Sequence, residues 1–68
     1  MNHEVFNTTL RQFLKQVGLT SQRQIEEAVS HALDHGEIKG NERLRAVMTL
    51  KIDQLELTHI IEDDIVLE

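Results

Sequence analysis

The sequence has no cysteine, which removes disulfide staples, thiolate zinc sites and any sign of an oxidising compartment. No uninterrupted apolar stretch exceeds three residues, far short of the ~18 that a membrane span requires. The segment Met1–Leu10 carries Glu4 and polar residues where a secretory signal needs basic residues and then an apolar run, so a cytoplasmic address is expected. A Gly-rich phosphate loop, internal repeats and low-complexity tracts are also missing, and no Ser, His and acid can be placed together as a nucleophilic set. With 68 residues there is room for one domain with a small core, and self-association is the remaining way to enlarge it, so a homodimer is allowed.

Basic residues are absent from one quarter of the chain. Residues 1–51 hold all seven Lys and Arg against six acids, whereas residues 52–68 hold Asp53, Glu56, Glu62, Asp63, Asp64 and Glu68 and no base. A partner meeting that end does best with a basic patch, while a phosphate backbone is repelled.

What is present is periodicity. Phe6, Leu10, Phe13, Leu14 and Val17 fall on one face of a 3.6-residue period, predicting a first helix over about 3–17. Gly18 supplies a C-terminal stop. Thr20 or Ser21 can then cap a second helix over about 21–35, with Ser21 and Gln24 at capping-box spacing, and Leu19 dipping into the core between the two. The second stripe is Ile25, Ala28, Val29, Ala32 and Leu33, ended by Gly36.

From Leu44 the period becomes two. Leu44, Ala46, Met48, Leu50 and Ile52 alternate with polar or smaller residues, predicting a strand over about 44–52. A tight turn at Asp53 and Gln54 leads to a second strand over about 55–61, and an acidic turn at Glu62, Asp63 and Asp64 leads to a third over about 65–67. The expected fold is therefore α+β, with two N-terminal amphipathic helices packed on a C-terminal two- to three-stranded antiparallel β-meander, in one domain over residues 1–68.

Three groupings carry possible chemistry. Gln22, Arg23 and Gln24 sit where the second helix of a helix-turn-helix presents side chains to base edges. Glu26 and Glu27 directly behind them, and the net charge of −5, argue against a nucleic-acid footprint. His31 and His35, four apart, point the same way and could share a metal with Glu27 or Asp34 nearby, but two ligands do not make a site, and a solvated helix edge explains them as well. Asp63 and Asp64, with Glu62, lack the spaced acids, Gly and distal Glu of a calcium loop; acids in an exposed turn suffice.

The block Phe13-Leu14-Lys15-x-Val17-Gly18-x-Thr20-Ser21-Gln22-Arg23-x-Ile25-Glu26-x-Ala28, followed by Gly36 to Glu42 and the apolar-alternating tail Met48 to Leu67, resembles a small bacterial family of uncharacterised proteins of about this length. The resemblance covers nearly the whole chain and implies no activity, cofactor or catalytic residue. The expected function is a non-enzymatic protein-interaction or regulatory module without a cofactor, using Gln22, Arg23, Gln24 and Glu27 on the helix or Asp63 and Asp64 in the acidic hairpin. The alternative is a DNA-associated regulator using Gln22, Arg23 and Gln24.

Overall fold

The computed structural model describes all 68 residues as two compact units, Met1–Glu37 and Ile38–Glu68. The first unit is one helix, α1, over His3–Asp34. The second is a hairpin of strands β1, Arg43–Ile52, and β2, Leu57–Val66, joined by a short 3₁₀ turn at Asp53–Leu55. The class is α+β, but with one long helix where two were expected and two strands where three were allowed.

The start of α1 is fixed by Asn2, whose side-chain oxygen accepts from the backbone N–H groups of Glu4 and Val5 at 3.0 and 3.1 Å. Its end is a Schellman arrangement. Gly36 adopts φ +69°, its N–H donates to the Leu33 carbonyl, and the Glu37 N–H reaches back to the Ala32 carbonyl. Gly36 thus stops the helix as its position implied.

Gly18 does not. It lies inside α1 without a positive φ, and the expected break at 18–21 is absent. Thr20, expected as a cap, instead turns its hydroxyl back to the Gln16 carbonyl at 2.7 Å, satisfying itself within the helix, as Thr9 does on Val5. The physical reason is phase. The two expected stripes are one stripe: Val17, Ser21 and Ile25 step by four, while Phe6, Val17 and Ala28 step by eleven, three turns of nearly straight helix. A Gly in mid-helix costs about 1 kcal/mol, less than the loss of that continuity. Leu19 faces away from the stripe and is 54% exposed rather than sunk in a core.

In the hairpin, Arg43 pairs with Val66 and Ile52 with Leu57, with every residue between them in register. Opposed residues share a face. One face therefore carries Leu44, Ala46, Met48, Leu50 and Ile52 beside Leu57, His59, Ile61, Asp63 and Ile65. The other carries Arg43, Arg45, Val47, Thr49 and Lys51 beside Thr58, Ile60, Glu62, Asp64 and Val66. The loop is longer than expected: Leu55 belongs to the turn, and Glu56 takes a left-handed conformation at φ 50° with its N–H on the Asp53 carbonyl.

The acidic trio makes no turn, which is why there is no third strand. Glu62, Asp63 and Asp64 lie within β2, where the apolar alternation Ile61, Ile65 continues in phase through Asp63 and Arg45 stands opposite Asp64. No residue of the chain is fully buried; the best-covered side chains, among them Val17, Val29, Ala32, Leu44 and Ile65, are only half-buried.

Candidate interaction surface

Because α1 is continuous, its residues divide by turn rather than by segment. Arg23, Glu27 and His31 step by four along one polar face, with Gln22 and Ser30 beside them; with Leu19 and Glu26 they border a shallow depression. All of its borders come from one helix, so it has no facing wall and encloses no ligand. Gln22, Arg23 and Gln24 do not act as a set. Successive helical residues point about 100° apart, so Gln24 turns toward the apolar stripe while Arg23 points away from it. With no turn before them, these residues also do not open a second helix, and the helix-turn-helix arrangement that suggested DNA contact is not formed.

His31 and His35 do meet. Their rings lie 4.0 Å apart, tilted by 31°. The Nδ1 of His35 lies 2.8 Å from the His31 carbonyl, to which an Nδ1–H donates. No group of three His, Cys, Asp or Glu residues is assembled around them or elsewhere in the chain.

The acidic candidates separate in the same way. Asp64 stands on the charged face of the hairpin, 3.5 Å from Arg43 Nε and 3.4 Å from Arg45 Nη1, while Glu62 accepts from Arg45 at 2.8 Å. Asp63 projects from the opposite, apolar face beside Ala46, its Oδ1 accepting the Asp64 N–H at 2.8 Å. They form a cross-strand charge ladder and a lone carboxylate, where an exposed acidic loop was expected. A charge on the apolar side of an edge strand discourages indiscriminate strand addition.

Two features went unmarked in the sequence. Glu42 folds its carboxylate over the loop before β1 and accepts N–H bonds from Lys39, Gly40 and Asn41 at 2.8, 2.9 and 3.1 Å. These bonds, that from Lys39 foremost, hold its carboxyl below the usual carboxylate range. The loop fills its own anion nest, so no external anion is needed there. The second feature is the undivided stripe of α1. Phe6 is 49% exposed, Leu10 41%, Phe13 48% and Leu14 51%, all on one side. Its signal was in the spacing, since the stripes on either side of Gly18 keep a common phase.

No helix of the chain is long and apolar enough to cross a membrane. No curated protein and no solved structure matches the chain. Its whole length, residues 1–68, matches the model of a family of unknown function, DUF6494, and the chain belongs to that family.

Proposed function

We propose that this chain is a non-enzymatic protein-interaction module that acts through its apolar faces. The carrying observation is that large apolar side chains are aligned, not scattered: Phe6, Leu10, Phe13 and Leu14 share one side of α1, and Met48, Ile52, Leu57 and Ile61 share one side of the hairpin, each more than a third exposed. Scattered surface apolar residues are ordinary, whereas a contiguous patch rimmed by charge marks a contact surface. The polar depression at Arg23, Glu27 and His31 offers charged groups without an enclosing wall, which suits a partner's surface better than a substrate. A cytoplasmic regulatory setting, suggested by the cysteine-free composition, belongs to the same proposal.

The test is a capture experiment with three baits: the native chain, Phe13→Glu on the stripe, and Gln22→Ala/Arg23→Ala/Glu27→Ala on the polar face, each checked for helicity by circular dichroism. A captured protein lost only by Phe13→Glu is then purified and titrated. Binding by the native chain with a negative heat-capacity change supports apolar docking. Equal capture by all three baits, or binding without that heat-capacity signature, would overturn the reading.

A further inference from the structure

We infer that the open edge of β2 pairs antiparallel with the same edge of a second copy of this chain, joining two hairpins into one sheet in the order β1-β2-β2-β1. The inference concerns the hairpin edge and stands apart from docking through the apolar faces. The sheet has two strands, so β2 has β1 on one side and no strand on the other. A hairpin alone is marginal, and independent stability takes roughly three or more strands with an apolar face. Pairing at the open edge supplies the strands and continues the apolar face across both copies.

Backbone phase limits the registers. The Leu67 N–H donates to the Glu42 carbonyl across the hairpin, in step with the ladder that sets Arg43 against Val66. In an antiparallel ladder bonded pairs alternate with unbonded ones, so the odd-numbered residues of β2 bond to β1, and the even-numbered ones, from Thr58 to Val66, aim N–H and C=O outward. Asp64 shows the outward aim, its N–H donating to the Oδ1 of the neighbouring Asp63 at 2.8 Å. Two such edges bond only where even-numbered residues stand opposite even-numbered ones, a condition that also keeps like faces together. The pairing is isologous and closes at two copies, whereas β1 of one copy on β2 of the next would run on as a filament.

Side chains choose among the registers that remain. On its apolar side β2 carries Leu57, His59, Ile61, Asp63 and Ile65. A two-fold axis at Ile61 sets Leu57 against Ile65, His59 against Asp63 and Ile61 against its own copy, so apolar meets apolar and the polar pair meets across the interface. These are unbonded positions, where opposed side chains come closest. On the charged side Thr58 meets Asp64 and Ile60 meets Glu62; Glu62 and its copy become diagonal neighbours, each already held by its own Arg45 at 2.8 Å. An axis at Glu62 would instead oppose Glu62 to itself and Asp63 to Ile61, an axis at Asp63 would oppose acid to acid, and an axis at Ile60 would press Asp63 on Leu57. Only the axis at Ile61 gives Asp63 a donor. Its carboxylate then leaves the Asp64 N–H for the His59 ring of the other copy, and that N–H passes to the Thr58 carbonyl across the interface. The edge of β1 has no such match, since β1 contains no acid.

The absence of native cysteine gives a clean cross-linking test. Sedimentation equilibrium of the native chain is expected to give twice the 7.9 kDa chain mass. At the axis the two Ile61 Cα atoms lie about 4.5 Å apart, within the span of a disulfide, and one register away they lie about 7–8 Å apart, outside it. Under mild oxidation Ile61→Cys should therefore cross-link several times faster than Glu62→Cys or Val47→Cys. His59→Asp and Asp63→Arg should each weaken the dimer severalfold, and an equimolar mixture of the two should restore it, because the mixed pair carries one native and one exchanged contact. A native chain of monomer mass, preferential cross-linking of Glu62→Cys or Val47→Cys, or a mixture no tighter than its components would overturn the proposal. A monomeric chain that still captures a separate protein through Phe13 would remove self-pairing and leave the interaction role standing.

Discussion

Residues 1–37 satisfy their backbone locally, the first helical N–H groups on the Asn2 side chain and later ones on a carbonyl one turn away, whereas residues 38–68 depend on pairs such as Arg43 with Val66, distant in sequence and joined at the open end of the hairpin. The two units also spend their charges differently. In the hairpin, Arg43, Arg45, Glu62 and Asp64 pair with one another on one face, and the other is apolar except for His59 and Asp63. In the helix, acids and bases flank an apolar stripe along its length. The contrast separates two sources of order. The helix has its hydrogen bonds without a core, yet helices in water draw most of their stability from packing of the apolar face. A two-stranded hairpin is likewise marginal alone. Both units have complete local structure and little burial of their own apolar faces.

The comparison breaks most sharply at Gly18. Replacement by Pro removes a helical N–H and crowds the preceding turn, so Gly18→Pro is expected to destabilise α1 by about 3 kcal/mol or more, seen as lost helical ellipticity. The two helix glycines then give opposite signs on substitution by Ala. At Gly36, φ +69° makes a Cβ costly, and Gly36→Ala should destabilise by about 1–2 kcal/mol. At Gly18 an added Cβ meets nothing within 4 Å, and Gly18→Ala should stabilise by about 1 kcal/mol. Thermal melts of the two variants decide the matter, since a broken helix at Gly18 would make both substitutions unfavourable.

Those signs also show what was legible in the sequence. The start of the first helix near residue 3, the stop at Gly36 and the change to period two at Leu44 all follow from local chemistry: an absent Cβ tolerating positive φ, and side chains alternating across a pleat. Gly18 carried the same local cue as Gly36. What distinguishes them is not local, because only the shared phase of the stripes across residues 17–25 shows that the helix continues. The acidic trio misled in a similar way. Glu62, Asp63 and Asp64 look like a turn until β1 supplies Arg45, which pairs with Glu62 and Asp64 from 17 and 19 positions away. The same period that identified the strands places Asp63 and Asp64 on opposite faces, so adjacency in sequence could not make them one site.

A smaller effect, confined to the loop before β1, sharpens the hairpin side. Three N–H donors hold the Glu42 carboxyl below its ordinary value of 4.5. A group whose folded-state pKa is depressed contributes stability that is present above its unfolded value and lost as the pH falls through the folded one. The loop should therefore be intact at neutral pH and loosen only as the solution is acidified below 4.5. An acid titration following the amide protons of Lys39, Gly40 and Asn41 should show them moving together, at a pH below the normal Glu range. Glu42→Gln should abolish that step, and a midpoint at or above the ordinary value would contradict the geometry.

The smallest expected effect lies in the charge ladder. Arg45 binds Glu62 at 2.8 Å and Asp64 at 3.4 Å, but its side chain is 57% exposed, so water and salt screen both attractions. Arg45→Ala should cost only about 0.5 kcal/mol, against a typical range for exposed pairs of ~0.2–1 kcal/mol. Amide exchange across Thr49–Ile60 and Arg45–Asp64 should report the loss at low ionic strength, and raising the salt should bring native and variant together. If the difference persists in high salt, the aliphatic stem of Arg45 is packing on Val47 and Val66 rather than its guanidinium pairing with acids, and this face of the hairpin is more apolar in its energetics than its charges suggest.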